Sequence, residues 1–390
     1  MKEWNQVSAV LRRGMLCCAM TLVSTMLIHA AAYRPSDPNQ ILEQLPRGFP
    51  QATARDPSIV SDPDATLEQI QKLLEYAYLQ GDPRALGQAS ALLQQQAAGI
   101  NDLSLIMLRA QAAQANHQFD EATALLVKLK QLSSDHVDAD LQLASIALVG
   151  GQFAQAHQHC EQIRGLDVLA IRLICLAQVD AMSGQLRSTA AKLSALEPML
   201  SSFTKSQQLW VLLIQADIAL RLDDAALNAR VFSRLPTNHI PALMARADWL
   251  MAHQEWQQVH DLLKDHTEHD GLLIRLVTSK RQLKRPDAAQ YQRLMIERVT
   301  QWRQRDDQAH YREQASYALL AESAAQSLAL AQKNWLHQRE TADFVVYASA
   351  ALRSKSLKDV TVLLNWAKTT GFEYPIVIKR LTAAALEYAQ

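Results

Sequence analysis

The 390 residues carry 39 Lys+Arg against 39 Asp+Glu, so the formal net charge is zero and no broad field points to nucleic acid or an anionic membrane surface. Hydrophobic residues make up 49% and only 11 residues are glycine, a balance that favours helix and gives few strand signals. It also leaves little backbone freedom for loops that wrap a phosphate.

Residues 1–32 read as a secretory signal. Lys2, Arg12 and Arg13 form a positive start, Gly14 to Ile28 is largely apolar, and Ala30-Ala31-Ala32 offers small residues for cleavage before Tyr33. The product is expected in the periplasm, with no membrane span once the signal is removed; an uncleaved anchor is the alternative. Residues 33–64 hold six of the twelve prolines, at positions 35, 38, 46, 50, 57 and 63, and so predict an extended arm or linker. Its one apolar cluster is Ile41-Leu42-Glu43-Gln44-Leu45.

Helical periodicity begins at Asp64, with Asp64 or Thr66 as N-cap, and a first helix ends at Gly81-Asp82-Pro83. A second helix runs to about Ala97. From Leu103 the sequence nearly repeats itself: Asn116-His-Gln-Phe119-Asp-Glu-Ala122 is answered by Gly150-Gly-Gln-Phe153-Ala-Gln-Ala156. Ala110 and Ala144, Phe119 and Phe153, and Ala122 and Ala156 are each 34 residues apart. This period, with a small residue in a first helix and an aromatic residue at the turn into a second, resembles the tetratricopeptide repeat. The alanine register continues at Ala177, Ala216 and Ala247; the aromatic site continues as Leu186, Ala225 and Trp256; and a third series runs Ala122, Ala156, Thr189, Asn228 and Val259.

The resemblance implies an all-α fold, a right-handed superhelical α-solenoid of helix-turn-helix units. We divide it into tetratricopeptide-like repeats over 65–270 and degenerate helical repeats over 271–390, about eight pairs with a closing helix. In the second part the expected helices are Gly271–Leu283 with 286–305, Ala309–Leu320 with Glu322–Trp335, Thr341–Arg353 with Ser356–Thr369, and Ile376–Tyr388. The Arg-rich member of the first of these pairs reads as a solvated, salt-bridged helix.

The chain has no Gly-x-Ser-x-Gly, no Gly-rich phosphate loop and no His-Glu-x-x-His, so we expect no enzyme and no cofactor. The resemblance instead implies a protein or peptide partner, held in a concave groove lined by the first helices. Carried through the alanine register, the groove positions include Met107 and Gln111, then Gln178, then Trp210, Asp217 and Arg221, then Met244, Asp248 and Met251. None is Lys or Asn, which argues against a carboxylate clamp.

Two further readings remain beside the adaptor. One is a metal-handling accessory using His253, His260, His266 and His269, of which His266 and His269 share a face if their helix continues through Glu268. We favour surface histidines, hence no metal site. The other is an oligomer-building subunit, the oligomeric state being open. Cys160 and Cys175 fall on helices expected to be neighbours, so a disulfide is an option; two separate buried thiols suit packed helix faces better.

Overall fold

A computed structural model describes residues 63–80, 82–96, 102–305 and 307–389. The expected signal and most of the proline-rich arm lie outside the described residues. Within them the chain forms nineteen α-helices and no strand. They pair as α1 (Pro63–Gln80) with α2 (Pro83–Gln95), α3 (Leu103–Ala115) with α4 (Phe119–Leu132), and α5 (Val137–Val149) with α6 (Phe153–Gln162). Next come α7 (Leu169–Met182) with α8 (Leu186–Ala195), α9 (Lys205–Leu222) with α10 (Ala225–Phe232), and α11 (Ile240–Ala252) with α12 (Trp256–Leu263). Then follow α13 (Asp270–Gln282) with α14 (Ala288–Gln304), α15 (Tyr311–Ala321) with α16 (Ala324–Trp335), α17 (Thr341–Arg353) with α18 (Leu357–Thr370), and the closing α19 (Pro375–Tyr388). Helices pack on their neighbours along the array, and first helices also touch, which makes it an all-α solenoid of helix pairs.

Among the described residues the pairs number nine, against about eight expected. Helix α1 also starts at Pro63, ahead of both expected caps. Proline suits a first helical position, where its missing N–H would have no partner.

The small-residue register has a packing cause. Ala110, Ala144, Ala177, Ala216 and Ala247 are all buried, as are Ala122, Ala156, Thr189, Asn228 and Val259 on the second helices. Small side chains let the helix axes approach closely. The aromatic site proves to be the first residue of each second helix: Phe119, Phe153, Leu186, Ala225 and Trp256.

Two residues before each of these sites the backbone turns left-handed, at His117, Gly151, Gly184, Asp223 and Gln254, and the same happens before α18 at Lys355. In every case the next N–H donates to the carbonyl five residues back, for example Gln118 to Ala113 at 2.9 Å and Gln152 to Ala147 at 2.8 Å. This is the Schellman ending of a helix. It costs about 1–2 kcal/mol where the residue is not glycine. Glycine occupies two of these six turns, so the sequence shows the conformation at Gly151 and Gly184 and hides it at the other four.

One contact departs from an open array. The turns between paired helices meet the C-terminal helices again. Gln338 Nε2 bonds His117 Nδ1 at 2.8 Å, Arg339 N donates to Val149 O at 2.7 Å, and Leu186 N donates to Glu373 Oε1 at 3.1 Å. A methyl group added at Gly184 would lie 3.3 Å from Gly371 O. Phe153, Cys160, Cys175, Val179 and Met182 share one continuous core with Trp335, Phe344, Tyr347, Leu363 and Phe372. The chain is therefore closed on itself along a seam.

Candidate functional site on the first-helix face

The first helices are stitched together in twos by polar side chains. Gln142 on α5 donates to Met107 Sδ on α3 at 3.3 Å, and Gln114 on α3 donates to Ser145 on α5 at 3.3 Å. Trp210 Nε1 on α9 donates to Gln178 Oε1 on α7 at 2.8 Å. Arg275 on α13 grips Asp248 on α11 through two bonds of 2.6 and 2.8 Å. Arg312 on α15 reaches Glu340 at 3.2 Å and Asp343 on α17 at 3.4 Å. A charged, two-pronged contact such as Arg275–Asp248 is stronger than a neutral bond and fixes the orientation of both groups.

The nine positions nominated from the register therefore differ in status. Gln111, Gln178, Trp210, Asp217, Met244, Asp248 and Met251 are half-buried and retain some access to solvent. Met107 is buried at 8% exposure, so it supports the face from beneath. Arg221 is a correction: its side chain is 0% exposed and all its reach is inward. It bonds Asp217 at 2.9 Å, Ala181 O at 2.9 Å and Glu373 O at 3.1 Å, and lies over the Phe372 ring. An arginine so occupied holds the seam and cannot meet a partner.

Sequence reasoning missed Tyr374, which the seam brings to this face. Its hydroxyl is pushed up to about 12, first by burial and then by the negative charges of Asp217 and Asp248. It also missed the cluster formed where α17 begins. Asp343 and Glu340 make a reciprocal cap, Asn334 Nδ2 donates to Asp343 Oδ1 at 2.8 Å, and Arg312 lies against both acids. Burial, aided by the like charge of Glu340, raises the Asp343 carboxyl to about 6, although Arg312 opposes it. Close by, His117 is held below its ordinary range, by burial and then by Arg312. The Glu340–Asp343 cap is local, but the sequence does not signal what joins it: Arg312 stands 31 positions from Asp343, and His117 meets Gln338 across 221.

The histidines of the alternative metal reading do not converge. His253 stacks on Trp249 and bonds Asp223, His260 is buried beside Lys280, and His269 caps Gly271 N. The helix does not continue through Glu268, because α12 ends at Leu263 and α13 starts at Asp270. No group of three or more candidate ligands stands together among the described residues. The cysteines correct the other expectation: Cys160 and Cys175 are joined by a disulfide, with Cα atoms 5.7 Å apart. The Arg-rich α14 is salt-bridged as expected, Arg303 to Glu322 and Arg298 to Asp270.

Two clefts stand out. One of about 260 Å³ lies among Trp302, Tyr311, Gln314, Leu330 and Lys333. The other, about 620 Å³, opens on the seam between Gly151, Gln155 and His157, Val179 and Ser183, and Thr369 and Thr370. No described helix is long and apolar enough to cross a membrane.

No family profile and no curated protein matches the chain. Among solved structures it is similar to a tetratricopeptide repeat protein from Parabacteroides merdae, at 11% identity over 83% of this chain and 99% of that one, with a TM-score of 0.26. An overlap of that size carries no argument, and the fold rests on the helices and turns described above.

Proposed function

We propose that the protein is an exported, non-enzymatic scaffold that holds a protein or peptide partner on the first-helix face. The observation that carries this reading is the row of half-buried side chains on successive first helices, Gln111, Gln178, Trp210, Asp217, Met244, Asp248 and Met251, several already fixed by bonds to the next helix. Side chains ordered in advance lose less entropy when a partner docks. Met244 and Met251 add an adaptable apolar stretch suited to a peptide held through side-chain pockets. The Cys160–Cys175 disulfide is in keeping with an oxidising compartment such as the periplasm.

Capture from envelope extract tests the reading. A partner held by the immobilised protein and released by a Met244→Glu, Met251→Glu variant of unchanged helicity supports it. A partner held equally by both places the site elsewhere, and no saturable partner overturns the scaffold role.

A second reading has its own support. Leu132, Leu166, Leu169 and Met199 are 46%, 91%, 43% and 57% exposed, all where a second helix hands over to the next first helix. Such a row suits pairing with another copy, and light scattering that finds a monomer at working concentration removes it.

A further inference from the structure

The disulfide lies in a particular relation to the seam. Cys160 is seven residues beyond Phe153 on α6, and Cys175 is seven residues before Met182 on α7. Both distances are close to two helical turns, about 10 Å. The far ends of these two helices are what the C-terminal helices rest on. At the α6 end, the Phe153 ring meets Trp366 edge-on at 6.0 Å, and Gly151 touches Arg339, which donates to Gly150 O at 3.2 Å. At the α7 end, Thr341 Oγ1 lies 3.9 Å from Met182 Sδ, Gly184 lies against Gly371, and Leu186 N, just past the turn, is bonded to Glu373. The 620 Å³ cleft is walled by residues 151–155 and His157 about the start of α6, by Val179 of α7 and Ser183 just past its end, and by Thr369 and Thr370 of α18.

We propose that the Cys160–Cys175 disulfide is a redox-sensitive device that sets the α6–α7 splay, and with it the docking of the C-terminal helices and the cleft between them. Formation takes two electrons and two protons from the thiols. One thiolate attacks a sulfur of an acceptor disulfide, protein or small molecule, and displaces a thiolate of the acceptor. The second cysteine thiolate then attacks the cysteine sulfur of the mixed disulfide, closing Cys160–Cys175 and releasing the second acceptor thiolate. In the closed chain Cys160 is 0% and Cys175 3% exposed, so an exchange partner has no line of attack. Both cysteines lie in the core shared with Trp335, Phe344 and Phe372, so the bond forms before that core closes, and the closed core then protects it. The coupling is reciprocal: whatever opens the seam exposes the disulfide, and whatever breaks the disulfide loosens the seam.

Two measurements on the full chain test this. The first follows reduction of the oxidised protein by dithiothreitol, in the unaltered chain and in Arg339→Ala, with Glu373→Ala as a second seam variant should the first not fold. Exchange that follows the opened population is expected to run faster in the variants by roughly tenfold or more; equal rates overturn the proposal. The second compares amide hydrogen exchange at Arg339 and Leu186, bonded across the seam to Val149 O and Glu373 Oε1, in oxidised protein and in protein reduced with a phosphine. Reduction is expected to abolish protection at these two amides while the α13 amides keep theirs. Unchanged protection at Arg339 and Leu186, or a uniform loss through α13, overturns it.

Discussion

The regular units α3–α8 and the C-terminal helices α15–α19 use the same pairing with different materials. In the regular units the helices close on small residues, Ala110, Ala144 and Ala177 against Ala122 and Ala156. The C-terminal helices bury alanines too, among them Ala315, Ala348 and Ala351, but add a cluster of rings. Trp335 meets Phe344, Tyr347 and Trp366 at 6.2, 5.6 and 4.9 Å, and Phe372 meets Phe344 and Trp366 at 4.9 and 5.0 Å. This ring cluster also takes in Phe153 of α6. A solenoid held by neighbours alone behaves as a sum of local terms. This one adds a long-range term, and its two halves should not unfold independently.

The largest effect should come from the ring cluster. Phe344 is 0% exposed, and Phe344→Ala is expected to cost about 3–5 kcal/mol in denaturant unfolding. Because the cluster reaches α6, the loss should appear in probes of both halves; a loss confined to the C-terminal helices would separate them. Removing the disulfide as Cys160→Ala, Cys175→Ala comes next. With a sequence separation of 15, it should lower stability by about 3 kcal/mol in the same assay. Ala144→Trp then tests the regular side. Ala144 is 3% exposed against its neighbours, and the larger ring should destabilise by about 1–3 kcal/mol through overpacking; full stability would refute the register.

The smallest effect is a pH dependence at the start of α17. The Asp343 carboxyl is raised to about 6 in the fold, by burial first, against about 3.9 in an unfolded chain. A raised carboxyl favours the fold when protonated, so its contribution is full below about pH 4 and is lost as pH rises through 6. The unaltered chain should therefore gain stability between pH 7 and pH 5 relative to Asp343→Asn, read as the difference in denaturation midpoints. Parallel midpoints across that range would show that the carboxyl is not buried as described.

Much of the fold was legible because helix punctuation is local. The expected Thr341–Arg353 matches α17 as read, and Ile376–Tyr388 misses α19 by one residue, at Pro375. Glycine, proline and capping residues act within a turn of where they stand. The seam was not legible, since it depends on how far the solenoid has wound after many units, a sum of small rotations that no window of sequence contains. Gly184 and Gly371 could have hinted at it: both are left-handed, and they touch 187 residues apart. At the candidate site the register named seven positions that stand half-buried on successive first helices. It could not tell that Arg221, at a groove position, turns inward to Glu373 O, because that acceptor arrives from the far end of the chain. For the cysteines, neighbouring helices could be read from the repeat, but the 5.7 Å separation could not.

The central claim is that the chain closes on itself, and a double-mutant cycle between Phe153 and Trp366 tests it most directly. The two rings sit edge-on at 6.0 Å, one on α6 and the other on α18. Unfolding free energies of Phe153→Leu, Trp366→Leu and the double variant yield their coupling. The closed seam predicts about 0.5–1.5 kcal/mol of favourable coupling between the rings. Additivity within about 0.3 kcal/mol, the behaviour of sites that do not touch, would contradict it.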